Sequence, residues 1–230
     1  LDLLADAVIT SGLKVIAVEP GVFTASLSRK LITLNKKKQK TKILAVVGSV
    51  NANTTAQMEE LWLSQRTHNE FVHTRELLEG EKRREPEIRR VVNSILSECD
   101  RNNISTVTGD GIYPENRIDF TPYMERYQCS LDEVTEMINS GFAEITYRIF
   151  KAEDTFKGLY TSGGDITVAV CKKVDTAGLS LLDEVLPLAA YGQFLKGVFE
   201  GVHIITKGGS QGNKDAINKC ITYLKEKLYI

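Results

Sequence analysis

The run Ile43 to Val47 is apolar at every position, the pattern of a strand buried on both faces of a parallel sheet. Helical spacing governs several longer segments. Leu131 to Lys151 places Val134, Met137, Ile138, Phe142, Ile145 and Ile149 on one stripe, which predicts a long core-facing helix. Pro86 to Asp100 does the same with Ile88, Val91, Val92, Ile95 and Leu96, as does Asp215 to Tyr229 with Ile217, Cys220, Ile221, Leu224 and Leu228. Further helices are expected at Leu1 to Thr10, Thr24 to Leu34 and Thr54 to Arg66, the last capped by Asn53 or Thr54. Strands are expected at Lys14 to Val18, Phe71 to Thr74, Ile104 to Thr108, Leu159 to Thr161, Gly178 to Leu186, Tyr191 to Gly201 and Val202 to Thr206. Ile112 to Ser130, with Pro114 and Pro122, reads as irregular. Strands alternating with helices make an α/β fold, layered α/β/α with a mostly parallel or mixed sheet.

The polar stretch Asn35 to Lys42, with five lysines and no apolar residue, marks a solvated linker. It divides residues 1–35, the remnant of a preceding α/β domain, from a domain at 43–230, with 36–42 between them. Helix, strand and helix in the first 35 residues are too few to close a core. The chain opens at Leu1, without methionine and inside a helical pattern, which reads as a piece of something longer.

One stretch organises the larger domain. Leu159 to Thr161 runs into Gly163-Gly164-Asp165, and a helical pattern with Ile166, Val170 and Val174 follows at once. A strand, a glycine turn and a helix N-terminus together offer unpaired N–H groups and a positive dipole end to an anion. Asp165 stands where a capping carboxylate stands, or where one would touch the magnesium of a nucleotide. An ordinary β-turn-α corner capped by Asp165 remains the alternative. Three other strands end in similar loops: Gly48-Ser49, Gly109-Asp110-Gly111 and Lys207-Gly208-Gly209. Loops that follow parallel strands gather at one edge of the sheet, where ligands bind. Their N–H clusters and the Lys207 cation would suit a polyanion such as ATP, a sugar acid or another small anion.

Composition narrows the class. A chain of 230 residues with 42% hydrophobic and 26% charged content is that of a globular protein. Net charge is −1, from 29 basic and 30 acidic residues, so no nucleic acid or membrane partner is expected. No leader pattern argues for secretion. Cys99, Cys129, Cys171 and Cys220 are widely spaced and read as reduced thiols, which suits the cytoplasm. His68, His73 and His203 share no motif and read as structural.

Gly48-Ser49-Val50, Thr161-Ser162-Gly163-Gly164-Asp165, Leu186-Pro187 and Thr206-Lys207-Gly208-Gly209-Ser210-Gln211-Gly212 form an ordered set. It resembles the nucleotide-binding C-terminal domain of the four-carbon acid sugar kinases, which phosphorylate acids such as threonate and erythronate. The turn Glu19-Pro20-Gly21-Val22-Phe23 resembles the Asp-Pro-Gly-Pro-Phe turn closing that family's N-terminal domain. The resemblance implies a two-domain kinase, with the sugar acid in the N-terminal domain, ATP in the C-terminal one and chemistry between them. It implies nucleotide contacts at Ser49, Ser162, Gly163, Gly164, Asp165, Thr167, Gly208 and Gly209. Asp165 and Lys207 would serve the phosphates and Mg2+, and the general base is left unassigned. The chain departs from the family at Ile166 (usually threonine), Gln211 (aromatic), Glu19 (aspartate) and Val22 (proline). The family's Asp-Asp-x-Thr-Gly-Ala type motif is absent, so this chain alone is expected to bind nucleotide and turn over little. A non-catalytic nucleotide- or metabolite-binding module is the alternative. A homodimer stays open.

Overall fold

Residues 42–47 divide their side chains by parity. Ile43, Ala45 and Val47 join one apolar cluster and Leu44 and Val46 another, as the two-residue period of a strand requires. Such a strand needs helices over both faces and neighbours on both edges. The computed structural model describes residues 1–18, 21–31 and 41–230 and supplies both. The turn step at Glu19-Pro20 and most of the lysine-rich linker, expected at 36–42, lie outside the described residues.

The chain divides into two units, Leu1–Gln39 and Lys40–Ile230. In the first, α1 (Asp2–Thr10) and α2 (Val22–Leu31) pack together. The Ser26 hydroxyl donates to the Asp2 carboxylate, and Lys30 Nζ lies 2.6 Å from Asp6 Oδ1. Lys14 to Val18, expected as a strand, is exposed and irregular. Its β-type pattern has no sheet partner among the described residues, and a strand without a partner leaves its backbone groups to water.

The second unit runs β1 (Lys42–Val47), α3 (Ala52–Ser64), β2 (His68–Val72), α4 (Thr74–Leu78), α5 (Glu81–Glu98), β3 (Ile104–Gly109), α6 (Thr121–Tyr127) and α7 (Leu131–Ala152). It continues with β4 (Phe156–Ser162), α8 (Gly164–Lys173), β5 (Gly178–Leu186), β6 (Ala189–Leu195), β7 (His203–Lys207) and α9 (Ala216–Leu228). The strands form a seven-stranded sheet in the order β2-β3-β1-β4-β7-β6-β5. The first five are parallel; β6 is antiparallel to both β7 and β5. Helices α3 and α9 cover the face of Ile43, Ala45 and Val47, whereas α4, α5, α7 and α8 cover that of Leu44 and Val46. The fold is therefore α/β, a mixed sheet between two helical layers. No helix among the described residues is long and apolar enough to cross a membrane.

Three local expectations are corrected. Helix α5 starts at Glu81, not Pro86. Its first turns are anchored from outside, by Arg84 donating to Leu77 O and Met137 O and by Arg148 clasping the Glu85 carboxylate at 2.8 and 2.9 Å. Residues 112–130 contain α6, whose Tyr123 hydroxyl bonds Glu79. Beyond Leu195 the expected β run to Gly201 gives way to a turn, with Lys196 and Gly197 at positive φ.

The register fixes where the loops lie. Val72 stands beside Gly109, Val47 stands between Thr108 and Ser162, and Ser162 stands beside Lys207. All five parallel strands thus end at one level. The loops after β1 and β7 lead to helices on one face, and the loop after β4 leads to α8 on the other, so crevices open on both sides of β4.

Candidate functional site

The centre of this edge is the turn from β4 into α8. Gly163 adopts φ +106, a conformation that L side chains rarely adopt. It precedes the helix without any side-chain cap. The amides of Gly164, Asp165 and Ile166 therefore find no acceptor among the described residues, as expected in the first turn of a helix. Gly164 is exposed, and a Cβ built on it would meet nothing within 4 Å. Asp165 is exposed in that same turn.

The neighbouring loops close on this turn. Gly163 N donates to Lys207 O at 3.0 Å and Gly48 N to Ser162 O at 3.4 Å. Ser49 Oγ shares a hydrogen bond with Thr54 Oγ1 at 3.0 Å, and Thr54 Oγ1 donates to Gly209 O at 2.6 Å. A Cβ on Gly209 would lie 2.8 Å from Ser49 Oγ and 4.0 Å from the Gly163 Cα. The close approach of these backbones is what glycine at 209 permits.

The residues singled out in the sequence separate into two groups. Ser49, Gly163, Gly164, Asp165, Gly208 and Gly209 gather along one rim. Ser162, Thr167 and Lys207 are buried behind it. Thr167 Oγ1 lies 2.8 Å from Thr161 Oγ1 and 2.9 Å from Thr206 Oγ1, and it also donates to Gly163 O, knitting β4, β7 and the turn together. The Lys207 ammonium is 1% exposed and donates to Gly208 O and Gln211 O, both at 2.7 Å. Burial lowers its pKa. Burial also pushes the Cys220 thiol up to about 12, against the opposing pull of Lys207. Ile166, found where the family usually has threonine, is buried and packs on Gly48.

Two recesses border the rim. One, of about 560 Å³, lies between Gly164, Gly208 and Leu188 to Ala190, with Asp183 and Glu184 at its wall. The other, of about 300 Å³, lies beyond Gly48 among Gly109, Arg117, Phe120, Asn139 and Phe142. Gly109 and Gly111 line this second recess, and between them the Asp110 carboxylate accepts from Thr74 N at 3.1 Å, tying the β3 end to the β2 end. The pattern of the sequence did not mark Asn53 and Gln57 as site residues, yet both reach the loop after β7.

Among the described residues no three His, Cys, Asp or Glu side chains cluster as a metal site. Mg2+ bound with a nucleotide needs less, since it typically takes one or two carboxylates and fills its octahedron with phosphate oxygens and water. Asp165, exposed beside free amides, fits that requirement.

Residues 44–217 match a family described as the nucleotide-binding C-terminal domain. The chain is 37% identical to the D-erythronate kinase of Heliobacterium modesticaldum over 232 residues, 99% of this chain and 52% of that protein. It is 22% identical to the D-threonate kinase of Salmonella typhimurium over 189 residues, 82% and 44% of the two chains. It thus spans about half the length of the curated relatives it matches. Among solved structures, a Bordetella bronchiseptica protein with a domain of unknown function, holding citrate in a domain-swapped dimer, superposes with a TM-score of 0.62. Identity there is 19%, over 95% of this chain and 49% of the other. A Haemophilus influenzae protein of the same domain family gives a TM-score of 0.61 at 16% identity, over 96% and 50%. At these identities the two structures speak for the fold. The family match runs from inside β1 to the start of α9 and takes in every loop of the rim, and by it this chain belongs to the four-carbon acid sugar kinase family.

Proposed function

We propose that this chain is the ATP-binding half of a kinase that phosphorylates a four-carbon sugar acid of the threonate or erythronate type. The observation that carries the reading is the meeting of Ser49, Gly163 and Gly209 at one rim, beside a helix start whose amides have no other acceptor. The names of the two kinase relatives give the substrate class its support.

Phosphoryl transfer asks the protein for in-line positioning and charge neutralisation more than for covalent chemistry. The amides of Gly164 to Ile166 and of the loop after β7 would hold the phosphate oxygens. Bound Mg2+ would neutralise charge on the transferred group, with Asp165 as its protein contact. Lys207, turned away from the rim, would act on the phosphates only through the loop it supports. The general base and the sugar-acid ligands would belong to polypeptide outside this chain, leaving 1–35 as the end of a substrate domain and this chain alone nearly inactive. A cytoplasmic enzyme goes with this reading, and the domain-swapped Bordetella neighbour supports a homodimer.

A binding module without catalysis is the second reading, favoured by Ile166, which puts a buried hydrocarbon where the family usually has a hydroxyl. Calorimetric titration with Mg-ATP should show binding to this chain. Gly164→Val should weaken it about a hundredfold by blocking approach to the amides, with the melting temperature unchanged because the site is open. Unaltered affinity in that variant would remove the site assignment. Turnover of threonate or erythronate, with the preceding polypeptide restored, separates the kinase from the binding module.

A further inference from the structure

Every carbonyl from Gly208 to Asn213 is held by a side chain from α3 or by Lys207. Lys207 Nζ donates to Gly208 O and Gln211 O, both at 2.7 Å. Thr54 Oγ1 donates to Gly209 O at 2.6 Å, and Asn53 Nδ2 to Ser210 O at 3.1 Å and Gly212 O at 2.8 Å. Gln57 Nε2 lies 2.9 Å from Gln211 O, 3.0 Å from Gly212 O and 2.9 Å from Asn213 O. Asn53, Thr54 and Gln57 share one turn of α3, and Lys207 points to the same face as Ile205, which packs with α3 and α9.

A trans peptide directs its C=O and its N–H to opposite sides. With the carbonyls drawn toward α3, the amides of the following residues face away from it. Gln211 N is taken by Gly208 O. The amides of Gly209, Ser210 and Gly212 find no acceptor among the described residues. A row of outward N–H groups over a buried ammonium is a concavity suited to an anion, and the Lys207 charge strengthens it without touching the ligand.

We propose that Asn53, Thr54, Gln57 and Lys207 are positioning residues that preset the 208–213 loop, so that its free amides meet the polyphosphate of the nucleotide. This rests on the nucleotide reading above and adds residues that act through the loop.

The test uses the whole chain with Gln57→Leu, which keeps the volume and withdraws the donor. Asn53→Ala, at a half-buried helix start, guards against a variant that fails to fold. Amide hydrogen exchange reads the loop without ligand, and displacement of a fluorescent ATP analogue by ATP and by adenosine reads the two ends of the nucleotide separately. Expected are faster exchange at 208–213 and ATP affinity about tenfold weaker, as for carbonyls left without partners, with adenosine displacement unchanged. Equal losses for ATP and adenosine would mean a merely structural role and overturn the proposal. So would folded variants that bind and exchange like the wild type. A wild-type chain that binds neither ATP nor the analogue removes the nucleotide reading, and this proposal with it.

Discussion

The loops after β4 and β7 offer amides to the same rim, but they free them by different means. After β4 the backbone suffices: Gly163 turns at positive φ and α8 begins at once, so its first amides have no partner within the helix. After β7 no helix starts until Ala216, and the loop is shaped by side chains. Gln57 reaches Gln211 across 154 residues of sequence. A helix start carries its own geometry and needs little support. An irregular loop must borrow its geometry from a neighbour, and so it is exposed to changes made far from it.

That contrast can be broken from either side. The largest effect belongs to the β4 loop, the hundredfold loss described for Gly164→Val without loss of stability. Gly209→Ala comes next. Its Cβ would press on Ser49 at 2.8 Å from Oγ and 3.0 Å from Cβ, parting the two loops, and ATP binding by calorimetry should weaken about tenfold, the scale of one or two lost hydrogen bonds. Gly163→Ala should act on stability instead. Forcing a side chain to φ +106 should cost about 1–2 kcal/mol in urea unfolding, whereas Ala at the neighbouring Gly164 should leave the midpoint where it was.

The smallest effect is one of pH on the β7 side. Burial pushes the Cys220 thiol up from its ordinary 9.0 to about 12 in the folded protein. The folded state therefore keeps a proton that the unfolded chain releases above pH 9. Its contribution is complete below pH 9 and is lost as pH rises toward 12. Cys220→Ala should flatten that alkaline decline in urea midpoints; an unchanged slope would show that other groups set it.

The expectations that held were local ones. Ile43 to Val47, the stripe of Leu131 to Lys151 and the turn at Gly163-Gly164 each carry their signal within a few residues, because periodicity and positive φ are properties of a short stretch. The expectations that failed needed a partner to decide them. Lys14 to Val18 has a strand's pattern and no ladder among the described residues. Pro86 marks a boundary by its own chemistry, but Arg84 and Glu85 tie the preceding turn to the rest of the fold. Asn53 or Thr54 read as the helix cap, yet Asn51 accepts from Asn53 N and caps α3, and the Asn53 side-chain amide reaches Ser210 and Gly212 instead.

The order of residues alone determined that apolar strands would be sandwiched by helices and that a glycine turn would open α8, since both follow from side-chain period and backbone sterics. Which way Lys207 faces, which loop carbonyls are gripped, and that Ser49, Gly163 and Gly209 gather at one rim were decided only when the strands took their places in the sheet. The physical reason is distance along the chain: those contacts join elements that are not neighbours in sequence, Gln57 reaching Gln211 across 154 residues, and only strand register brings them within hydrogen-bonding range.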